Sequence, residues 1–421
     1  MGDVIDELEW RGLISQSTDL AALRELMAEG PITFYTGYDP TAASLHHGHL
    51  VQLIVMKHLQ NAGHRPLALV GGATGLIGDP RMSGERTLNE SEVVAQWAEK
   101  LKQQISRFLS FEGPAAARMV NNYDWTGDLT AIELLREVGK YFRLGTMIAK
   151  DTVARRLASD EGISFTEFSY QLLQANDFLQ LYRRYGCVLQ TGGNDQWGNL
   201  IGGTELIRKA EGKSVHVLTT PLITKADGTK FGKSEGGAIW LDPQMMSPYA
   251  FYQFWLQTED ADVERLLKVF TFLNQEEIAE LVSATAENPR DRVGQKRLAY
   301  EVTTLVHGKE KADFVVAASK ALFGSGDLFA LDGDTLLEAT ASLPSCEVKL
   351  DETTLIDMLV DAGLEKGRGA ARRTMSAGGA YLNGEKILDE EQVVSAKDVL
   401  PGNLVLFRKG RRSMAVGRVV S

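Results

Sequence analysis

The stretch from Ile32 to Asp79 constrains the fold more than any other part of the chain. "ITFYTGY" (32–38) is rich in β-branched and aromatic residues and reads as a buried strand. A turn at Asp39-Pro40 follows. Residues 46–62 then place Leu50, Leu53, Ile54 and Leu59 at helical spacing. "RPLALVGG" (65–72) is a second apolar strand, and "GGATGLIGD" (71–79) is a glycine-rich bend. Parallel strands need a crossover, usually a helix. Strand, loop, helix and strand in this order therefore predict a parallel α/β sheet of Rossmann type.

The remaining pattern extends that sheet. Residues 91–111, 129–158 and 165–185 read as helices, and 186–193 and 216–223 as strands. "TKADGTKFGKSEGG" (224–237) is a glycine-punctuated loop with three lysines. From Ser247 to Leu331 the pattern is helical. Residues 332–351 read as a linker, and 352–421 as a small α+β domain with a hairpin at Asn383-Gly384. The expected organisation is a sheet domain over 1–246, a helical domain over 247–331 and the small domain at the end.

Composition removes several classes. Only two cysteines occur among 421 residues, Cys187 and Cys346, so neither a disulfide framework nor a cysteine-rich zinc cluster is expected. No run approaches the ~20 apolar residues that cross a bilayer. "MGDVIDELEW" lacks a basic-then-apolar leader, so a cytoplasmic location without membrane partners is expected. The net charge of −11 speaks mildly against nucleic acid, but its distribution matters more. Between Leu364 and Ser421 stand eleven Lys or Arg and six Asp or Glu, a basic segment in an acidic chain.

Three of the seven histidines fall in "SLHHGHL" (44–50): His46, His47 and His49. Metal ligation, packing and anion binding are the alternatives. His46 and His49 share a helical face, yet no HExxH pattern is present and no Cys or carboxylate nearby has ligand spacing. His46 lies instead near a helix N-terminus directly after a strand and turn, where backbone N–H groups favour a phosphate. Gly48 allows close approach to the backbone there. A second signal is "KFGKS" (230–234), which is by itself compatible with a solvated surface loop.

On the helix 165–185, Tyr170, Gln174 and Asp177 recur at i, i+4 and i+7 and share one face. Internal hydrogen bonding is one account of such a polar stripe. A ligand is the other. With Asp79, the set can hold an ammonium group at one end and a hydroxyl at the other.

The histidine pair after the first strand and the lysine loop after the last resemble the HIGH and KMSKS signatures of class I aminoacyl-tRNA synthetases. "YTGYDPTAASLHHGHL", "LVGGATGLIGDP", "FTEFSYQLLQANDFL", "GGNDQWGN" and "KADGTKFGKS" resemble the bacterial, tyrosine-specific branch of that family, essentially end to end. The resemblance implies ATP with Mg²⁺, L-tyrosine and tRNA(Tyr) as partners. It also implies a homodimer formed through a segment at about 120–166. It puts Asp79, Tyr170 and Gln174 on the substrate α-ammonium, Tyr35 and Asp177 on the phenol, and Gln196 by the carboxylate. Thr41, His46 and His49 would serve the phosphates and nucleotide, with Lys230 and Lys233 over the pyrophosphate. Gly37, Asp39, Gly48, Gly193, Asp195 and Ser234 complete the ATP site, in which no resident metal is expected. "RMSGER" (81–86) departs from the family in length, and either Arg81 or Arg86 can supply charge to the pyrophosphate. His47 is assigned no chemistry. Other HIGH-motif nucleotidyl transferases and tryptophanyl-tRNA synthetases are the rival readings. The first need no Tyr35/Asp177 pair and no basic C-terminal module, and the pair also argues against the second.

Overall fold

The computed structural model describes residues 3–81, 84, 88–229, 231–232, 238–322, 326–341, 343–410 and 413–420. They form two compact units, one of residues 1–246 with 258–298, the other of 247–257 with 299–421.

The first unit is built on six strands: β1 Gln16–Ser17, β2 Thr33–Tyr38, β3 Arg65–Val70, β4 Arg118–Asn121, β5 Cys187–Gly193 and β6 His216–Thr220. Their spatial order is β1-β6-β5-β2-β3-β4. Neighbours are parallel, except β1 against β6. Beyond Arg65, β3 is buried residue after residue, as is β6, the pattern of parallel strands covered on both faces. The chain runs from β2 outward to β3 and β4, then returns to lay β5 on the other flank of β2. The crevice at the carboxyl ends of β2 and β5 is therefore the topological switch point, where open α/β sheets bind ligands.

Four helices of this unit bear on the crevice or its support: α1 Val4–Trp10, α2 His47–Asn61, α3 Phe165–Tyr185 and α4 Trp197–Glu211. The start of α3 is set by Ser164, whose side chain accepts from the Glu167 backbone N–H at 3.2 Å. Its end is set by Gly186 at φ 62°, a left-handed cap that favours glycine. Phe178 and Leu179 of α3 pack with Tyr35, Leu67 and Leu206 in the core.

Several expectations are revised. The helix expected over 129–158 is a series of short pieces: Ala131–Glu133, a π turn Leu134–Val138, a 3₁₀ turn Gly139–Tyr141, Leu144–Ile148 and Asp151–Leu157. Gly139 and Gly145 weaken any continuous helix there. The helix from Ser91 ends at Ile105. Residues 258–298, read from sequence as part of a separate helical region, group with the sheet unit. Arg11 is one reason. It is 2% exposed, and its guanidinium donates to the carbonyls of Lys268, Thr271 and Leu273 at 2.7–2.8 Å, around the end of α5 (Asp260–Phe270).

In the second unit, β7 Ser345–Lys349, β8 Ala380–Leu382, β9 Glu385–Lys386, β10 Leu404–Lys409 and β11 Ser413–Val420 form a sheet of order β7-β11-β10-β8-β9. The β8–β9 turn has Asn383 at φ 47° and Gly384 at φ 93°, as a type I′ hairpin requires. The segment 332–351 is not a bare linker. It carries the helix Gly333–Thr340 and β7. Leu328, Leu331 and Leu336 pack with Leu400, Leu404 and Leu406, so the helical and sheet parts of this unit share a core.

Removing the Arg11 clasp should leave three backbone carbonyls without their donor. Arg11→Ala is expected to lower stability by roughly 3–5 kcal/mol. Denaturant unfolding of the variant against the parent chain measures it.

Candidate active site

The carboxyl ends of β2, β3, β5 and β6 contribute to one cleft of about 790 Å³. β2 and the turn after it supply Tyr35, Gly37, Asp39 and Thr41, and the start of α2 supplies His46, Gly48 and His49. The bend after β3 supplies Asp79, α3 supplies Tyr170, Gln174 and Asp177, and the end of β5 supplies Gly193, Asp195 and Gln196. Tyr35, Gly37, Asp39, Thr41, His46, Gly48, His49, Asp79, Tyr170, Gln174, Asp177, Gly193, Asp195 and Gln196 all line this cleft, whereas Arg81 is exposed and does not. Lys230, Lys233, Ser234 and Arg86 lie outside the described residues.

The histidines form the helix start itself. The Gly48 backbone N–H donates to Nδ1 of His46 at 3.0 Å, and the His46 N–H donates to Nδ1 of His49 at 3.2 Å. Together they make a capping box of two imidazoles, stacked with ring centroids 4.0 Å apart. Burial, then the neighbouring His46 and His47, pushes the His49 pKa well below the ordinary imidazole value. His49 is thus a neutral ring at physiological pH. Gly48 is required by this geometry: a Cβ there would lie 2.9 Å from the His46 ring. The close approach expected at this glycine is made by its own neighbour. His47 has a packing role. Its backbone N–H donates to the Ile239 carbonyl at 2.9 Å, and its ring meets Phe231 edge-on at 5.7 Å. A Cβ on Gly232, which sits at φ 80°, would fall 2.0 Å from that ring.

Among the described residues no three His, Cys, Asp or Glu side chains are grouped to hold a metal ion.

The polar stripe of α3 belongs to a buried network. Asp177 is 2% exposed, and its two oxygens accept from Trp125 Nε1 at 2.8 Å and Asn122 Nδ2 at 2.9 Å. Asn122 also donates to Thr74 Oγ1 at 2.9 Å, Thr74 donates to Asp39 at 2.6 Å, and Tyr170 Oη donates to the other Asp39 oxygen at 2.7 Å. Tyr170 therefore bonds Asp39, not Asp79. Asp79 is held by Gln196 Nε2 at 3.0 Å and Asn199 Nδ2 at 2.9 Å. Burial raises the Asp177 carboxyl to about 7, against the opposing pull of Asn122 and Trp125. The buried polar atoms of the cleft with no hydrogen-bond partner among the described residues include the Tyr35 hydroxyl, Gln52 Oε1 and Gln174 Oε1. A buried donor and a buried acceptor left open are costly unless a ligand completes them.

The sequence reading missed Asn122, Trp125 and Gln190. Gln190 is a buried polar residue in β5 that also lines the cleft. Its signal was one amide, beside Thr191, in a strand that is otherwise apolar or glycine. Asn122 follows β4, a four-residue strand too short to register by periodicity.

A parallel sheet with a histidine-capped helix at its switch point, facing a pocket for a small polar molecule, defines a nucleotide-using activating enzyme. The chain belongs to the family of tRNA synthetases class I (W and Y), whose model matches residues 27–324. Residues 336–416 match the Tyrosine--tRNA ligase SYY-like C-terminal domain. The chain is 57% identical over 420 residues to the Tyrosine--tRNA ligase of Streptomyces griseus, covering 100% of this chain and 99% of that one. A C-terminally truncated Aspergillus nidulans mitochondrial tyrosyl-tRNA synthetase superposes with a TM-score of 0.70 at 32% identity, over 77% of this chain and 95% of that one. A tryptophanyl-tRNA synthetase from Encephalitozoon cuniculi shares the fold at TM-score 0.56 and 16% identity, over 73% and 87% of the two chains. No helix among the described residues is long and apolar enough to cross a membrane.

Asp177 holds its proton in the folded, ligand-free chain at a pH where the unfolded chain has released it. Its contribution to stability is present below pH 4 and is lost as pH rises through about 7. Thermal melts from pH 4 to 8 should show a steeper fall for the parent chain than for Asp177→Asn. Parallel curves would exclude a raised carboxyl at 177.

Proposed function

We infer that the chain joins L-tyrosine to its tRNA in two steps. The tyrosine carboxylate attacks the α-phosphate of ATP, releasing pyrophosphate and leaving tyrosyl-adenylate. The 3′-terminal ribose of the tRNA then takes the tyrosyl group and AMP departs. The observation that carries this reading is the open polar atoms of Tyr35 and Gln174 in the cleft. The Tyr35 hydroxyl, beside the Asp177 carboxyl, suits a phenol, and Gln174 suits an ammonium group. Phenylalanine would leave the phenol partners buried and unpaired, at a cost of about 1–3 kcal/mol for each.

In this mechanism Asp79, Tyr170 and Gln174 take the α-ammonium and Gln196 stands by the carboxylate. Little covalent chemistry falls to the protein, and the rate comes from position and from charge stabilisation. Thr41 and His46 contact the α- and β-phosphates as charge moves. His49, a neutral ring braced by its Nδ1 bond, packs on the nucleotide. Gly193 and Asp195 hold the ribose, with Gly37, Asp39 and Gly48 lining the remainder of the ATP site. Lys230, Lys233 and Ser234 close over pyrophosphate. Mg²⁺ enters with ATP as part of the nucleotide substrate and needs no dedicated cage.

The working form is a cytoplasmic homodimer. Ile132, Leu135, Leu144, Ile148, Leu157 and Phe165 are all exposed within or beside residues 120–166, and Phe165 is 77% exposed. Apolar surface so concentrated favours a second copy as its cover. The basic residues after Leu364 suit tRNA phosphates, so charging should weaken steeply with salt.

Amino-acid-dependent ATP–pyrophosphate exchange over all twenty amino acids tests the reading. Exchange with tyrosine alone is expected, and preference for another amino acid would overturn it. Tyr35→Phe should reduce the tyrosine-to-phenylalanine ratio of kcat/KM about tenfold. An unchanged ratio would remove Tyr35 from the phenol site. His46→Ala should slow adenylate formation by about 3 kcal/mol with tyrosine affinity intact, since its contact strengthens only with the moving charge. Equal losses in binding and rate would count against that role.

A further inference from the structure

The first turns of α2 carry one more polar side chain into the cleft wall. Gln52 follows His49 by three residues, so the two share a face of the helix. Gln52 lines the cleft and is 8% exposed. Its Nε2 donates to Thr220 Oγ1 at 2.6 Å, across to the end of β6. Its Oε1 is buried and has no hydrogen-bond partner among the described residues. The amide is thus anchored through its nitrogen and open at its oxygen. No step described above uses it.

The residues that flank this amide and its anchor in the chain are apolar. Val51 precedes Gln52, and Pro221, Leu222 and Ile223 follow Thr220; all four line the cleft. Leu222 is 58% exposed even so. An open apolar side chain in a cleft suits the face of a flat ring, and a few placed polar atoms then fix its orientation. A buried acceptor left open needs a donor from the ligand. Adenine brings both, a π-face and an exocyclic amine. The rest of the nucleotide is already provided for, with the phosphates at Thr41 and His46 and the ribose at Gly193 and Asp195.

We propose that Gln52 is a specificity-determining residue for the nucleotide: held by Thr220, it accepts through Oε1 from the 6-amino group of adenine. The proposal rests on the reading under "Proposed function", which supplies ATP as the substrate. A purine with hydrogen at C6 would leave Oε1 buried and open, and the site would discriminate against it by that loss. The contact is to the base, so it is indifferent to the ribose hydroxyls and to tyrosine.

The test uses the full chain and two variants. Gln52→Met keeps the length and most of the volume of the side chain and removes the amide. Thr220→Val removes the anchor and leaves the amide in place. Tyrosine-dependent pyrophosphate exchange is measured with ATP, with purine riboside 5′-triphosphate, which lacks the 6-amino group, and with 2′-deoxyATP. Tyrosine binding is measured by equilibrium dialysis. The parent should prefer ATP to the purine riboside nucleotide by about tenfold in kcat/KM. In Gln52→Met that preference should shrink to within about twofold, with tyrosine affinity and the ratio of ATP to 2′-deoxyATP held, since the swap nearly conserves volume. Thr220→Val should move the same ratio by a smaller factor, and it decides by the same comparison if Gln52→Met does not fold. A preference for the 6-amino group that is unchanged in the folded variants would overturn the proposal. So would a change confined to the 2′-deoxyATP ratio, which places the amide at the ribose, or an equal loss with all three nucleotides, which marks a purely structural contact. Absence of any tyrosine-dependent exchange in the parent chain would overturn the functional reading itself, and with it this assignment.

Discussion

One side-chain amide ties the cleft together. Asn122 is fully buried. Its oxygen accepts from the Ala73 N–H at 2.8 Å, and its nitrogen donates to Thr74 and to Asp177. It thus joins the bend after β3, the end of β4 and the middle of α3, three segments far apart in sequence. A buried amide of this kind is worth little as a single bond and much as a constraint, because each group it satisfies would otherwise be left open in a low-dielectric interior. Through Thr74 the same network reaches Asp39 and Tyr170, so both carboxylates of the cleft's inner wall are oriented by neutral donors. Asp177 accordingly stays where a phenol can meet it without a cation beside it.

The histidine-capped helix follows a similar logic at the opposite wall. Most N-caps use a small oxygen-bearing side chain. Here two imidazoles take that place, each accepting a backbone N–H through Nδ1. The arrangement fixes the ring planes and keeps His49 uncharged. It also leaves Gly48 no room for a side chain, so the glycine, the stack and the cap form one unit.

Much of this was legible from the sequence, for identifiable reasons. β2, α2 and β3 announce themselves by strong periodicity. The Tyr170–Asp177 stripe stands out as polar residues on a helix with an apolar remainder. The cleft residues then follow from topology, since they lie at strand ends beside the switch point. What was not legible depends on contacts distant in sequence. Nothing local to "RMVNNYDW" (118–125) says that Asn122 and Trp125 will turn toward α3. The helical pattern of 258–298 is the same whichever unit it joins, and the choice involves Arg11, at the far end of the chain. Residues 332–351 read as a connection because their helix is two turns long, and its apolar side finds partners only near Leu400.

The Arg11 clasp has a further consequence for how the protein is made. Its acceptors lie 257 to 262 residues downstream. β1 likewise waits for β6, with Gln16 facing Thr219. At ~5–20 residues per second of synthesis, the guanidinium emerges roughly 13–50 s before its partner carbonyls exist. Through that interval the nascent sheet can assemble from β2 to β5, and the first helix has α2 and the Arg24 ion pairs as partners but not the carbonyls of residues 268–273. The Arg11 clasp is thus closed only after α5 has been made, long after the helix that precedes Arg11.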